Sequence, residues 1–236
     1  NNVVSDPVSV MMERNFQWLA GMGDRATVGG INLHQIAKRT IEYWLNERMN
    51  PDGSINYVVK QGGHTADSNV SILKAATDYY LSTRDRQFII DNRARLERAV
   101  DFLMQRDVDD DGLIESSNDG NGDFKGGDTA YDTIASGWKN ALVNGQAYKA
   151  FLGAARMMED IGAKDLAGEY RSRALALRKA YNRTFYEPDK KRYIWWIGQD
   201  GRRHDYFNTL VQANAVLYGI ADWLKEDTGI AHDAGD

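Results

Sequence analysis

The residues of this chain that could do chemistry concentrate between positions 107 and 132. Asp107, Asp109 and Asp111 alternate along the chain, and Asp132 follows on a loop rich in glycine, asparagine and aspartate. Carboxylates two residues apart can converge on one hard cation, and a carboxyl in partly apolar surroundings can act as a general acid. The segment therefore predicts a carboxylate site on a loop rim, of the kind that sugar-cleaving enzymes need.

The turn that follows Arg106 matches the first half of a calcium-binding loop. Gly112 stands at the sixth position, where such loops turn sharply, but Asn118 replaces the bidentate glutamate of the twelfth. A glutamate at the ninth position would close the cage instead. The predicted cation ligands are Asp107, Asp109, Asp111, Leu113 through its carbonyl, and Glu115. The alternative is a polar turn with solvated carboxylates.

Asp132 is the candidate general acid for cleavage of a glycosidic bond. That role needs a carboxyl whose pKa is raised by a closed, partly apolar site. Tyr131, Ile134 and Trp138 are the nearby residues that would supply such surroundings. On its own, a single aspartate on a loop is more often a cap or a turn residue than a catalytic one.

Further polar and aromatic residues would contact a sugar. Polar groups at the start of a helix can bind hydroxyls, although an aspartate such as Asp67 can also simply cap the helix. Of two adjacent tryptophans on an extended segment, one would face the core and the other would offer a stacking face. The predicted substrate-binding residues are Asp24, Arg25, His64, Asp67, Asn69, Tyr131, Trp138 and Trp196.

Composition narrows the function classes. The chain has 236 residues with 42% hydrophobic content, enough for one core, so we expect a single domain over 1–236. A net charge of −5 without a basic run argues against nucleic acid as a partner, and no apolar run is long enough to span a membrane.

Cysteine is absent, and no organic-cofactor motif occurs. The start at Asn1 suggests a removed signal peptide or a fragment, and the composition fits a secreted or periplasmic bacterial enzyme.

Apolar periodicity predicts an all-α fold built from helical hairpins. Six helices are predicted. The first extends to about position 48, the third ends near 106, and the others cover about 67–82, 139–160, 164–185 and 206–225. An extended stretch is predicted over 192–197. Long loops near 49–66, 106–137 and 186–205 alternate with tight connections, which places every long loop on one rim. A toroid of hairpins is the natural closed form, and six helices make half of a six-hairpin barrel, so the barrel is expected to be incomplete or open.

The motifs together resemble those of six-hairpin (α/α)6 glycosidases, over about residues 65–185. The matching runs are Asp67-Ser-Asn69, Asp78-Tyr-Tyr-Leu81, the run from Asp107 to Glu115, and Tyr131-Asp132. The pattern is most similar to that of the non-lysosomal glucosylceramidase or bile-acid β-glucosidase family.

That resemblance implies roles for particular residues. Asp132 would be the acid/base, the acidic turn a structural cation site, and Asp67 with Asn69 part of the sugar pocket. If Asp24 opens the first barrel helix, the nucleophile would lie near Glu13. Two departures from the pattern are Ala130 in place of threonine and Ile134 in place of tryptophan.

A second alignment competes with the first. Glu115-Ser-Ser-Asn-Asp119 resembles the acid motif of trehalases, which would make Asp119 the acid and Glu115 a pocket residue. The run from Val143 to Tyr148 resembles a helix of debranching enzymes and rhamnosidases.

The sequence thus predicts an exo-acting glycoside hydrolase with a carbohydrate substrate. Asp132 would protonate the leaving group, and a second carboxylate, Glu13 or one outside the chain, would be nucleophile or base. The alternative is a non-catalytic carbohydrate-binding or scaffold module on a partial barrel. A phosphorylase or lyase on the same fold is a third reading, but only Lys125 and Lys139 are near enough for an anion site.

Overall fold

The computed structural model describes residues 27–56, 66–120 and 136–222. Six α-helices lie within them: α1 (Leu33–Glu47), α2 (Ala66–Thr83), α3 (Arg86–Met104), α4 (Ala141–Asp160), α5 (Lys164–Phe185) and α6 (Thr209–Leu217). The strands have two residues each: β1 (Thr27–Val28), β2 (Ile31–Asn32), β3 (Lys139–Asn140), β4 (Tyr186–Glu187), β5 (Arg192–Tyr193), β6 (Trp196–Ile197) and β7 (Arg203–His204). Among the described residues, no helix has the length and hydropathy required to cross a bilayer.

The predicted helices are present, and the last is shorter than expected. The apolar pattern continues to Leu224, but α6 ends at Leu217. Tyr218 caps the helix, and Gly219 takes a φ of +68°, a conformation that breaks the helical path and favours glycine. The periodicity beyond that point therefore does not belong to the same helix.

Helices alternate between an inner and an outer layer. Side chains of α2 and α4 are buried on almost every face, whereas α3 and α5 each have one buried stripe. The inner α4 packs against α2 and α6 as well as against its outer neighbours α3 and α5. Tight turns join α2 to α3 and α4 to α5, so the long loops enter α2, α4 and α6 at one shared rim. The predicted all-α hairpin architecture is confirmed.

The two inner helices approach closely at one glycine. A Cβ atom built on Gly153 of α4 would lie 2.2 Å from Oγ1 of Thr77 on α2. The Thr77 hydroxyl also donates a hydrogen bond to the carbonyl of Leu73, which fixes its rotamer. A side chain at position 153 would therefore push α2 and α4 apart.

Side-chain caps determine where the chain enters several helices. Asn32, Asp85, Asn140 and Asn208 each accept a hydrogen bond from a backbone N–H in the first turn of the helix that follows. Such caps satisfy N–H groups that the helix itself leaves without partners. The caps of α4 and α6 lie at the rim, so the same residues that begin the inner helices also fix the ends of the long loops.

A small antiparallel sheet joins two of the long loops. In the order β3, β6, β7, Lys139 pairs with Ile197, which pairs with Arg203. An isolated bridge between Glu115 and Lys139 extends this row to the acidic turn. The loops before α4 and before α6 are therefore one connected structure.

Candidate functional site

The acidic turn from Asp107 to Glu115 is fixed to the inner helix α4 by one buried amide. Asn144 accepts a hydrogen bond from the Ile114 N–H at 2.7 Å and donates one to the Ile114 carbonyl at 2.9 Å. Arg106 donates two hydrogen bonds to the Glu115 carbonyl, at 2.8 and 2.6 Å. Leu113 and Ile114 are buried between these contacts. The turn is thus held in place by its backbone, and its carboxylates project from a rigid base.

Basic side chains from distant parts of the chain neutralise the aspartates. The Lys139 ammonium lies 2.6 Å from a carboxylate oxygen of Asp109 and 2.6 Å from one of Asp111. Arg173 on α5 lies 2.8 Å from Asp107. The solvated turn that the sequence left open as an alternative is therefore replaced by a network of ion pairs, each partly shielded from water.

The predicted cation ligands come together only in part. Oxygen atoms of Asp107, Asp109 and Glu115 lie within 4.8 Å of one another, close enough for a single metal ion to bind all three. The Leu113 carbonyl instead accepts a hydrogen bond from Arg173 at 3.4 Å, and Asp111 accepts one from the Leu113 N–H. The structure thus provides a three-carboxylate group with Lys139 beside it.

Glu115 is the most unusual group in this turn. Its side chain is 1% exposed, and one carboxylate oxygen accepts a hydrogen bond from the Val108 N–H. The other oxygen has no hydrogen-bond partner among the described residues, and Lys139 lies 3.9 Å from it. Burial raises the pKa of Glu115 to about 7, while the Val108 N–H and the Lys139 charge oppose that rise.

The raised pKa of Glu115 predicts a pH dependence of stability. The folded protein keeps this proton up to a pH of about 7, whereas the unfolded chain releases it near the ordinary value of 4.5. This stabilisation is fully present below pH 4.5 and is lost as pH rises through about 7, which lowers the free energy of unfolding by roughly 3 kcal/mol. We expect Glu115→Gln to remove this loss, as measured by urea unfolding between pH 4 and pH 8 with a calcium chelator present.

The difference in free energy of unfolding between wild type and Glu115→Gln separates the effect of Glu115 from that of other titrating groups. Pairing with Lys38 holds the pKa of Asp85 below its usual range, so this residue gives the opposite trend in both proteins. Parallel stability profiles for wild type and Glu115→Gln would contradict the assignment.

The loop that carries Asp132 begins and ends within this rim. The Trp138 N–H donates to the Asn118 carbonyl at 2.7 Å, and the Gly120 N–H donates to the Asn118 side chain. Asn140 donates to the Ser136 carbonyl at 2.8 Å. Several predicted site residues lie outside the described part of the chain and stay predictions: Glu13, Asp24, Arg25, His64, Tyr131 and Asp132.

The alternative acid and the neighbouring tryptophan both lie on this rim. Asp119 is exposed, and its backbone carbonyl accepts a hydrogen bond from the Gln199 N–H at 2.7 Å. Trp138 is half-buried and has a φ of +52°, in the left-handed region that side chains rarely adopt. Exposure does not give Asp119 the closed surroundings expected of a general acid, and the role stays a prediction.

Both tryptophans of the extended segment are buried. Trp196 is 5% exposed, its indole N–H donates to the Gly120 carbonyl, and its ring stacks on His204 with centroids 4.2 Å apart. Trp195 packs edge-on against Trp196. The expected arrangement, with one ring in the core and one free, is therefore not what the structure has, because β6 lies between β3 and β7 and the Trp196 ring is covered by His204 and Tyr206.

The two polar residues at the start of α2 are also buried. Asn69 accepts a hydrogen bond from the Ile55 N–H and donates to the carbonyls of Gly53 and Ala99. Its amide thereby joins the loop after α1 and helix α3 to α2. Asp67 is 3% exposed in the first turn. A sugar-binding role for Asn69 would require it to give up one of these backbone partners.

Sequence reasoning missed the residues that hold the acidic turn. Lys139 is 28 residues beyond Asp111, and Arg173 is 66 residues beyond Asp107. Neither spacing corresponds to a local motif, because the pairs form only when α4 and α5 pack together. The one available signal was Asn144, a polar residue within an otherwise apolar helical stripe.

Comparison with known proteins places this geometry in a family. The sequence model described as the bacterial alpha-L-rhamnosidase 6 hairpin glycosidase domain matches residues 26–216. No curated protein sequence matches the chain.

Solved structures share the fold at low sequence identity. A GH78 family rhamnosidase of Bacillus sp. GL1 is 18% identical with a TM-score of 0.65, and the match covers 80% of this chain and 19% of that one. A rhamnosidase from Klebsiella oxytoca with rhamnose bound is 18% identical with a TM-score of 0.64, over 87% of this chain and 37% of that one. An alpha-L-rhamnosidase from Dictyoglomus thermophilum is 12% identical with a TM-score of 0.52, over 75% and 19%.

These matches support the broader of the resemblances seen in the sequence, that to six-hairpin glycosidases. The chain spans between 19% and 37% of the length of the matched structures. The six-hairpin assignment is confirmed, whereas the closer resemblance to the glucosylceramidase family is not. Since the family model covers most of the chain, the protein belongs to the bacterial α-L-rhamnosidase six-hairpin glycosidase domain family.

Proposed function

We propose that the protein is a glycoside hydrolase that removes a terminal α-L-rhamnose from its substrate. The observation that carries this proposal is the match of residues 26–216 to the α-L-rhamnosidase domain family. Two structural neighbours named as rhamnosidases, one of them with rhamnose bound, support the same sugar. The rim of long loops above the inner helices supports a site at that end of the domain.

The chemistry would use two carboxyl groups on either side of the scissile bond. Asp132 would protonate the leaving-group oxygen, and Glu13 or a residue outside the chain would act as base or nucleophile. A separation of about 5 Å between the carboxyls would give retention of configuration, and about 6.5–9.5 Å would give inversion. The anchoring of Ser136, Trp138 and Gly120 supports the placement of the Asp132 loop at this rim.

The test is hydrolysis of 4-nitrophenyl α-L-rhamnoside beside the corresponding α- and β-glucosides and β-xyloside. We expect release of nitrophenol from the rhamnoside alone, and proton NMR of the first-formed sugar gives the stereochemical outcome. Circular dichroism checks that the protein is folded under the assay conditions. A folded protein that cleaves none of these substrates would contradict the proposal and favour a carbohydrate-binding module.

We also propose that the three-carboxylate group binds Ca²⁺ as a structural ion. The buried Glu115 oxygen without a partner among the described residues is the observation that favours a cation, since Asp107 and Asp109 oxygens lie within 4.8 Å. Hard carboxylate oxygens are the ligands that Ca²⁺ prefers. The Lys139 ammonium competes for the same charge, so Ca²⁺ binding requires this side chain to move away from Asp109.

Thermal unfolding with and without the ion tests this site. At a Ca²⁺ concentration about 100 times the Kd, binding to the folded state would add about 2.7 kcal/mol and raise Tm by several degrees. We expect Ca²⁺ to raise Tm relative to a chelator, and Asp109→Asn to reduce that difference. Equal Tm values for wild type with Ca²⁺ and with chelator would overturn the proposal.

A further inference from the structure

The described chain exposes aromatic rings at one place only. Tyr206 is 59% exposed and Phe207 is 65% exposed, whereas the other described phenylalanine, tyrosine and tryptophan residues are buried or half-buried. Aromatic rings carry a large apolar surface, and leaving two of them in water is costly. The pair, here termed the aromatic platform, is therefore a candidate surface for binding a ligand.

The aromatic platform rests on a fixed base. The Tyr206 ring lies against Trp196, with centroids 5.5 Å apart and planes inclined by 29°. Trp196 is itself held by its hydrogen bond to the Gly120 carbonyl and by stacking on His204. Burial lowers the pKa of His204, which favours the neutral form of its imidazole. A ring on a base of this kind is ordered before a ligand arrives, which limits the entropy lost on binding.

Charged side chains lie beside the aromatic platform. The Arg192 guanidinium lies 6.0 Å from the Phe207 ring and pairs with Asp205, which also pairs with Lys190. The Lys190 side chain of this group is half exposed to solvent. Flat aromatic faces beside charged side chains suit a sugar ring, which has one apolar face and an edge of hydroxyl groups.

The position of the aromatic platform connects it to the proposed active site. Tyr206 and Phe207 directly precede Asn208, the cap of the inner helix α6. The sheet from β7 through β6 to β3 leads from this point to Lys139 and the acidic turn. Trp196, which lies against the Tyr206 ring, donates a hydrogen bond to the carbonyl of Gly120, so the rings lie on the same rim as that residue. A terminal sugar bound between the inner helices would direct the rest of its substrate outward, toward this exposed side of the rim.

We propose that the aromatic platform binds the ring on the leaving-group side of the scissile bond by stacking. This inference rests on the proposed glycosidase function and deepens it, because it assigns specificity for the group released. The platform accepts either a sugar or an aryl ring there, and it does not contribute to binding of the terminal sugar itself.

Steady-state kinetics with three leaving groups test the inference. Tyr206→Ala and Phe207→Ala are expected to raise KM for 4-nitrophenyl α-L-rhamnoside and for a rhamnosyl-glucose disaccharide by roughly 3- to 10-fold, with kcat little changed. Methyl α-L-rhamnoside, which has no ring to stack, should show unchanged KM. Tyr206→Trp should preserve wild-type KM, and Leu175→Ala, an exposed apolar residue of α5, is the matched control.

Tryptophan fluorescence separates failure of this inference from failure of the proposed function. If substrates are cleaved but KM is the same in both alanine variants, the aromatic platform is wrong and the hydrolase stands. If nothing is cleaved, titration with 4-nitrophenyl α-L-rhamnoside still decides: saturable quenching lost in Tyr206→Ala supports stacking. Absence of quenching in wild type, or equal quenching in the variant, overturns it.

Discussion

Replacing Asn144 with alanine is expected to lower the free energy of unfolding by about 3–5 kcal/mol. The wild-type side chain is fully buried and satisfies both the N–H and the carbonyl of Ile114, besides donating to the Asn140 carbonyl. Ile114 is itself buried, so alanine would leave its two backbone groups without partners or admit water into the core. Urea unfolding followed by circular dichroism measures the change.

Asn92→Ala is the matched control for this variant. Asn92 is also buried in a helix, but its side chain donates a local hydrogen bond, at 2.9 Å, to the Phe88 carbonyl four residues earlier. We expect this substitution to cost about 1 kcal/mol. Equal losses in the two variants would mean that Asn144 acts only as a buried amide and does not hold the acidic turn.

Replacing Asp132 with asparagine is expected to lower kcat by roughly 10²- to 10⁴-fold on a substrate with a poor leaving group. An alkoxide or sugar leaving group must be protonated as the bond breaks, whereas nitrophenolate departs with little assistance. The loss for methyl α-L-rhamnoside should therefore be much larger than the loss for 4-nitrophenyl α-L-rhamnoside. The ratio of the two losses, measured as kcat/KM, distinguishes a general acid from a residue that only binds the sugar.

Asp119→Asn tests the alternative assignment of the general acid in the same experiment. The trehalase-like alignment assigns the acid to Asp119, and the structure leaves that side chain exposed. We expect Asp119→Asn to retain most of its activity on both substrates. A leaving-group-dependent loss in Asp119→Asn, together with an active Asp132→Asn, would transfer the role to Asp119.

The helices could be predicted from the sequence because each depends on local information. Apolar spacing predicts α5 to the residue, although that helix has no side-chain cap, and predicts α2 within one residue at each end. The sixth helix was overestimated because an apolar period continues through Gly219, and periodicity does not register the positive φ that this glycine adopts. Local patterns thus locate a helix more securely than they locate its end.

The acidic turn was found from the sequence, but its partners were not. Alternating carboxylates identify Asp107, Asp109 and Asp111 as a group, whereas the counter-charges of Lys139 and Arg173 come from other elements. The same limit applies to Trp196, whose burial depends on strand pairing with His204 and Asn140. Tyr206 and Phe207 were missed because two aromatic residues before a helix look like core residues until their exposure is known.

The strand pairing between the long loops has a consequence for how such a domain can be altered. Residues 139–140, 196–197 and 203–204 are fixed to one another, so extra length inside them would break the whole row. The turn from Gly198 to Arg202 has its own internal hydrogen bonds, and apart from the bond of Gln199 to the Asp119 carbonyl its exposed residues 199–202 face solvent. Insertions at this turn would lengthen the wall next to the aromatic platform without disturbing the helices, which makes it the natural place to engineer a preference for larger substrates.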